Sequence, residues 1–235
     1  MIAEGAISVK AALLNGKRDV HEIYLRRGKD SRDVRFIMKK AAEKGIPVRI
    51  LEEGDLFSVL SGKSHGGIGA EVSERRNDDL KEGDILYLDG IEDPFNLGYI
   101  LRSACALGVE NILLGKRDYS TMEMQILKSS AGAYDQLNIR VMDDELTELK
   151  KRKKAGYTLY GLYRGDDSRD IFDTAFKENA LFILGGEKRG IKKEVLDLCD
   201  ETLFISYGSN FRNALNAAAA ADVVLTLRYS QRRGK

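Results

Sequence analysis

Two polar side chains that could bind a negatively charged group follow a short apolar strand, within residues 88–103. Asn96 lies where the next helix would begin, and Arg102 lies one turn inside it. The helix would bury an apolar stripe formed by Leu97, Ile100, Leu101 and Ala104. Arg102 falls outside that stripe, where its guanidinium could hold a phosphate through two hydrogen bonds. The alternatives are a helix cap for Asn96 and a solvated helix charge for Arg102.

Two further loops combine glycine with polar residues. Residues 184–191 read Leu-Gly-Gly-Glu-Lys-Arg-Gly-Ile, and these glycines would let a ligand approach the backbone closely. A plain tight turn is the alternative, and the spacing fits neither the GxGxxG nor the P-loop pattern. Residues 205–217 lead through Gly208 into a helix whose first turn contains Asn216. Free N–H groups at such a helix start can bind anions or other acceptors.

The elements that must position these loops are short apolar strands separated by helices. We predict strands at residues 85–88, 111–114, 158–162, 181–184 and 203–205. Helices are predicted at 97–107, 145–154 and 214–229, among others. This alternation indicates an α/β fold with a parallel sheet covered on both faces. Because ligands bind outside the carboxyl ends of such strands, the three loops lie where a site is expected.

The chain divides into two predicted domains. Residues 1–75 read as a small αβ domain with an amphipathic helix that ends at Gly45 and a loop over 61–67. Residues 76–83 are polar and charged without apolar periodicity, which indicates a linker. Residues 84–235 form the second domain, which carries the three loops.

Composition excludes several classes of protein. Hydrophobic residues make up 43% and the net charge is +1, which excludes a disordered chain. No run approaches the ~18 apolar residues of a membrane span, and the first residues do not resemble a signal peptide. Two cysteines cannot build a disulfide scaffold, and neither His21 nor His65 has neighbouring ligands for a metal. We therefore expect a cytoplasmic protein that binds neither membrane nor metal.

The charge is unevenly distributed. Residues 1–75 contain 14 basic and 11 acidic residues, whereas the other 160 contain 24 and 26. This distribution argues against nucleic-acid binding by bulk charge alone but allows binding through local patches.

The three loops together resemble the TrmH (SpoU) family of RNA 2′-O-ribose methyltransferases, in the SPOUT superfamily. Asn96, Gly98 and Arg102 are in register with the family's first motif. Residues 184–190 are similar to its second motif, 205–216 to its third, and 128–133 to a further segment. Residues 1–75 resemble the substrate-binding domain, related to a ribosomal protein fold, that many members carry.

This resemblance implies a second domain of SPOUT type with a deep trefoil knot, which binds S-adenosylmethionine. It implies that Arg102 is the catalytic residue, assisted by Asn96, Glu187 and Asn216. The implied cofactor-binding residues are Leu184, Gly185, Gly186, Gly190, Ile205, Gly208 and Leu215. Members are homodimers whose active site is completed across the interface. The implied substrate is structured RNA, with rRNA favoured over tRNA as the alternative.

The sequence departs from the family's motifs at several positions. Gly186 stands where the second motif has Asn, and Ser206-Tyr207 replaces Pro-Met in the third. Ala214 and Ala218 replace two serines, and two extra residues precede Ala214. One hypothesis is that Ser206, Ser209 or Arg212 compensates for the lost hydroxyls. The rival functions are an RNA-binding or ribosome-associated homologue that has lost catalysis and, formally, a base methyltransferase that uses Cys105 as nucleophile.

Overall fold

The computed structural model describes residues 1–62 and 65–234. Lys63 and Ser64, which belong to the loop predicted over 61–67, lie outside the described residues, as does Lys235. The chain forms two compact units. The first contains residues 1–76 and 119–136, and the second contains residues 77–118 and 137 onward.

The first unit is a four-stranded sheet with helices. Its elements are β1 (Ile2–Glu4), α1 (Ala6–Asn15), β2 (Val20–Arg26), α2 (Arg32–Lys44), β3 (Val48–Leu51), α3 (Glu53–Val59) and β4 (Ile68–Val72). The strand order is β1-β4-β2-β3, with β4 antiparallel to both neighbours and β3 parallel to β2. The predicted amphipathic helix is α2, which buries Val34, Ile37 and Ala41 and ends at Gly45 in the left-handed conformation.

A segment distant in sequence completes this unit. Residues 119–136, which sequence analysis placed inside the second domain, contribute a helix at Glu123–Ser129 and a 3₁₀ turn at Ala133–Asp135. Asp135 is fully buried and accepts two hydrogen bonds from the buried Arg18 guanidinium, at 2.8 and 2.9 Å. Glu123 lies 2.8 Å from the same guanidinium. A buried charge is tolerated when it is paired in this way, so these contacts hold the segment in the first unit.

The second unit is a parallel sheet of seven strands flanked by helices. We number the helix at Glu123–Ser129 α5. The elements of the second unit are β5 (Ile85–Asp89), α4 (Pro94–Ala106), β6 (Asn111–Leu114), β7 (Asn138–Val141), α6 (Glu145–Lys154), β8 (Thr158–Leu162), β9 (Arg169–Asp170), β10 (Ala180–Gly185), α7 (Lys193–Leu196), β11 (Glu201–Phe204) and α8 (Ala217–Arg233). The order is β7-β6-β5-β10-β8-β11-β9, and every neighbouring pair is parallel. This arrangement confirms the predicted α/β class with a parallel sheet.

The strand order creates a topological switch point between β5 and β10. From β5 the chain runs outward through β6 and β7, then returns to the other side of the sheet at β8. β10 is then inserted between β5 and β8, and β11 follows between β8 and β9, so the loops that follow β5 and β10 lie side by side. Ligand crevices of open α/β sheets occur at such points.

The segment predicted as a linker is ordered against the second unit. The Asn77 side chain accepts a hydrogen bond from the Val141 N–H and donates one to its carbonyl, while Asp78 accepts one from Ile139. These contacts cover the outer edge of β7, a strand that sequence analysis did not predict. Within the described ranges, no helix has both the length and the apolar character that a membrane crossing requires.

Candidate active site

The loops that follow β5, β8, β10 and β11 meet at the carboxyl edge of the second sheet. The loops after β8, β10 and β11, together with the start of α8, enclose a pocket of about 310 Å³, which we call the glycine-loop pocket. Its lining residues are Leu162, Tyr163, Arg164, Leu184, Gly185, Gly186, Glu187, Gly190, Leu203, Phe204, Ile205, Tyr207, Arg212, Ala214, Leu215, Ala217 and Ala220. This volume lies within the range of small-molecule sites.

The pocket brings together most residues that sequence analysis assigned to cofactor binding. Those that line it are Leu184, Gly185, Gly186, Gly190, Ile205 and Leu215, and Glu187 lines it as well. Gly208 is exposed and does not line it. Sequence analysis missed the wall contributed by Tyr163 and Arg164 after β8, because that loop carries no recognisable motif.

Close backbone packing explains the two glycines at the end of β10. A Cβ atom on Gly185 would lie 2.1 Å from the carbonyl carbon of Gly190, and one on Gly186 would lie 2.2 Å from the carbonyl oxygen of Gly90. Neither position can therefore hold a side chain without moving backbone. Gly186 stands where the family motif has Asn, so in this chain the loops after β5 and β10 approach each other too closely for Asn.

Asp89, which sequence analysis did not single out, holds the glycine loop in place. It ends the apolar strand β5 and is fully buried. Its carbonyl oxygen accepts the Gly186 N–H at 2.9 Å, and its carboxylate accepts the Lys192 N–H at 2.8 Å. The Lys192 ammonium lies 3.8 Å from the same carboxylate. An acidic residue at the end of an otherwise apolar strand was the available signal.

Asn96 and Glu187 meet across the two adjacent loops. The Asn96 side-chain amide donates to the Glu187 carboxylate at 3.2 Å. The prediction that Asn96 caps α4 was wrong, because Asp93 is the N-cap and accepts the Asn96 N–H at 2.7 Å. Pro94 occupies the first turn, where its missing N–H costs nothing, so the helix begins earlier than predicted. The Asn96 side chain is thereby free to contact Glu187.

Arg102 lies outside the glycine-loop pocket of this single chain. Its side chain is exposed, opposite the buried stripe of α4, and has no ion pair or hydrogen bond within the part of the chain that the structure describes. Phe95 and Tyr99, which precede it at helical spacing, are also exposed, at 48% and 49%. The outward face of α4 therefore combines two aromatic rings with a free guanidinium.

Tyr207, which departs from the family motif, helps to fix the third loop, residues 205–217. The Tyr207 hydroxyl accepts the Leu215 N–H at 3.1 Å, which closes the loop on itself. Asn216 is the N-cap of α8, and its side chain accepts the Ala219 N–H at 2.8 Å. Of the three residues hypothesised to compensate for lost hydroxyls, Arg212 lines the glycine-loop pocket, whereas Ser206 and Ser209 do not.

A second pocket, of about 540 Å³, lies between the start of α4 and the glycine loop. We call it the α4 pocket. Its lining residues are Gly90, Ile91, Glu92, Asp93, Pro94, Asn96, Arg117, Gly186, Glu187, Lys188, Arg189 and Ala217. It shares Gly186, Glu187 and Ala217 with the glycine-loop pocket, so the two are contiguous. Its three basic side chains lie near acidic ones: Arg117 and Lys188 lie 3.9 and 4.0 Å from Glu92, and Arg189 lies 3.6 Å from Asp89.

The thiols do not favour the rival in which Cys105 is a nucleophile. Burial raises the pKa of the Cys105 thiol, with a smaller contribution from Glu110, so the reactive thiolate is disfavoured. Cys105 lines neither pocket. Among the described residues, no cluster of three His, Cys, Asp or Glu side chains could hold a metal ion.

Comparison with known proteins places the chain in a family. Residues 84–226 match the SpoU rRNA methylase family, and residues 2–77 match a family described as RNA 2′-O ribose methyltransferase substrate binding. A 23S rRNA (guanosine-2′-O-)-methyltransferase RlmB from Xanthomonas campestris is 29% identical over 98% of this chain and 96% of its own.

Solved structures share the fold. The SpoU methyltransferase AviRb from Streptomyces viridochromogenes superimposes with a TM-score of 0.83 at 23% identity, over 100% of this chain and 90% of its own. Its structure in complex with the cofactor AdoMet gives a TM-score of 0.80 at 24% identity, over 99% and 90%. These matches confirm the predicted family resemblance and enzyme class: the chain belongs to the SpoU rRNA methylase family.

Proposed function

We propose that the protein transfers a methyl group from S-adenosylmethionine to the 2′-hydroxyl of a ribose in rRNA. The observation that carries the proposal is the glycine-loop pocket, which gathers residues from the second and third motifs of a SpoU rRNA methylase chain. The α4 pocket lies beside it and shares Glu187 with it. Asn96 and Glu187, which touch each other, stand at the boundary between the two pockets.

The glycine-loop pocket fits a cofactor with an apolar ring system and several polar groups. Leu184, Ile205 and Leu215 supply apolar contacts, and Gly185 lets the backbone of Gly190 and Ile191 pack closely to form the edge of the pocket. S-adenosylmethionine would supply the methyl group of its sulfonium and leave as S-adenosylhomocysteine, while the proton of the 2′-hydroxyl would pass to a phosphate oxygen of the RNA. The chain's own task is to hold that methyl group in line with the ribose 2′-oxygen.

Arg102 is proposed to hold the target phosphate and to support the charge that develops on the 2′-oxygen. We therefore assign Arg102 positioning and electrostatic support. Asn96 and Glu187 would orient the reacting ribose. Asn216 would act through the position of α8, because its side chain is committed to the helix cap.

The proposal includes a homodimer in which one protomer's α4 completes the pocket of its partner. Arg102 lies outside the glycine-loop pocket of its own chain, and the exposed Phe95 and Tyr99 beside it suit an apolar contact. The deep trefoil knot implied by the family, in the C-terminal part of the second unit, belongs to the same proposal. A protein acting on rRNA would work in the cytoplasm.

The domain assignment is also part of the proposal. Residues 1–75 would recruit the RNA, residues 76–83 would link the domains, and residues 84–235 would carry out methyl transfer. The match of residues 2–77 to a substrate-binding family supports this division. The relative from X. campestris is named for 23S rRNA, which supports rRNA over tRNA.

The test is methyl transfer from labelled S-adenosylmethionine to purified rRNA and tRNA, both taken from cells that lack the gene. We expect label in rRNA and none in tRNA. The phosphodiester bond that follows the labelled ribose should become resistant to alkaline cleavage, because its 2′-hydroxyl is methylated. Label in tRNA alone would reject the substrate assignment. Binding of rRNA without binding of the cofactor, measured by calorimetry, would favour the rival in which catalysis has been lost.

Gly185→Ala is expected to weaken S-adenosylmethionine binding by about tenfold or more. The added Cβ meets backbone atoms of Gly190 and Ile191 at 2.1 and 2.3 Å, so the pocket edge must shift. Overpacking of this kind costs about 1–3 kcal/mol, and 1.4 kcal/mol corresponds to tenfold in affinity. Calorimetry measures the change. The control is Gly54→Ala, where a Cβ meets no atom within 4 Å, and equal affinities for the two variants would reject a close-packed edge.

Tyr99→Arg is expected to convert a dimer into a monomer, since it places a charge in the apolar face proposed as the interface. Sedimentation velocity measures the mass, and methyl transfer should fall with the loss of the dimer. Phe172→Arg, at a ring that is 53% exposed and lines neither pocket, serves as the control and should stay dimeric. A fully active wild-type monomer would contradict the shared site.

A further inference from the structure

Two arginines of the glycine-loop pocket have no role in the function proposed above. Arg164 comes from the segment after β8, and Arg212 comes from the loop before α8. Both are exposed, and neither forms an ion pair with any described residue. Glu187 is the one acidic residue among the described side chains that line the pocket. Positively charged side chains therefore outnumber negatively charged ones among the described residues that line the pocket.

Contacts with Tyr207 of the third loop help to position these two arginines. The Arg164 guanidinium carbon lies 5.7 Å from the centre of the Tyr207 ring, within the range of a cation–π contact. Tyr207 in turn accepts the Leu215 N–H, and its ring lies 6.1 Å from that of Phe211, next to Arg212. Arg164 is thus held by the loop that carries Arg212, and both guanidinium groups border one pocket.

Much of the remaining lining of the pocket is apolar. This apolar wall is formed by side chains from β8, β10 and β11 and the loops after them: Leu162, Leu184, Leu203, Ile205 and Leu215. The first residues of α8, Ala217 and Ala220, complete the lining, so the positive end of a 17-residue helix adds to the charge of the arginines. Such a pocket suits a ligand with a flat apolar part at one end and a carboxylate at the other.

We infer that Arg164 and Arg212 bind the carboxylate of the methionine moiety of S-adenosylmethionine. The inference rests on the proposed function, because it assumes that this cofactor occupies the pocket. A guanidinium and a carboxylate form paired, charge-assisted hydrogen bonds, and the adenosine part would lie against the apolar wall. Arg212 belongs to the stretch that is two residues longer than the family motif, so this contact is a property of this chain.

Calorimetry with two ligands tests the inference without any measurement of activity. S-adenosylmethionine carries the carboxylate, and decarboxylated S-adenosylmethionine lacks it but keeps the sulfonium and the amine. We expect the wild type to prefer S-adenosylmethionine. Arg164→Gln and Arg212→Gln should each lower its affinity by about 10- to 100-fold, as expected for a hydrogen bond between charged groups. The affinity for the decarboxylated compound should not fall.

Arg233→Gln is the matched control, because Arg233 is an exposed arginine of the second unit that lies 5.7 Å from the centre of the Tyr229 ring and lines neither pocket. Arg212→Lys, which keeps the charge, should recover part of the affinity. An equal loss for both ligands, or a loss of rRNA binding with cofactor affinity intact, would overturn the inference. A wild type that binds neither ligand would reject the proposed function itself, which keeps the two failures distinguishable.

Discussion

Arg102→Ala should lower the single-turnover rate of methyl transfer to rRNA by about 10²–10³-fold, the range seen when one group that stabilises a transition-state charge is removed. The fold and the affinity for S-adenosylmethionine should stay the same. Arg102 is exposed on α4, and within the described residues its side chain holds nothing else in place. It is therefore available to a ligand and dispensable for folding.

The measurement combines the rate with two controls. Circular dichroism and cofactor calorimetry should match the wild type, and Arg169→Ala should keep its rate. Arg102→Lys is expected to recover little, because an ammonium cannot form the paired hydrogen bonds of a guanidinium. A wild-type rate for Arg102→Ala would remove Arg102 from the proposed mechanism.

The largest effect on stability is expected at Asp84, which lines neither of the two pockets. Asp84→Ala should lower the free energy of unfolding by about 3–5 kcal/mol, because it leaves a buried arginine without its partner. Asp84 is fully buried and receives hydrogen bonds from Arg228 at 2.5 and 2.9 Å, and one from the Ala180 N–H at 3.1 Å. The pair ties α8 to the starts of β5 and β10.

Denaturant unfolding measures this loss, and a double variant separates its causes. Asp84→Leu combined with Arg228→Met removes both buried charges, so it should be less destabilised than Asp84→Ala. It should still fall below the wild type, since the Ala180 N–H loses its acceptor. A loss below about 1 kcal/mol for Asp84→Ala would show that water reaches Arg228.

The regular elements of the second unit were largely predictable from periodicity. β8 at 158–162 and α6 at 145–154 have the predicted bounds. Short apolar runs form strands because a parallel sheet buries both faces. β7 and β9 were missed, since Asn138–Val141 alternates with polar residues and Arg169–Asp170 has only two residues. Both are outer strands, where burial imposes a weaker pattern.

Contacts between residues distant in sequence were not predictable. Arg18 and Asp135 are 117 residues apart, and nothing near either of them indicates that the pair is buried. Residues 119–136, which sequence analysis assigned to the second domain, therefore group with residues 1–76 only in the tertiary structure. Asp89 was missed for the same reason, because its role depends on backbone groups of Gly186 and Lys192 on another strand's loop.

The sequence by itself determined the residue types and the family. It placed glycine, amide and arginine side chains after buried strands, and those local patterns identified the methyltransferase class. Only the tertiary structure decided which loops meet. The order β5-β10-β8-β11 is set by nonlocal backbone pairing, which no short segment encodes. That order brings Gly186 against Gly90, Asn96 against Glu187, and Arg164 beside the loop of Arg212, while it leaves Arg102 on the outer face of its helix.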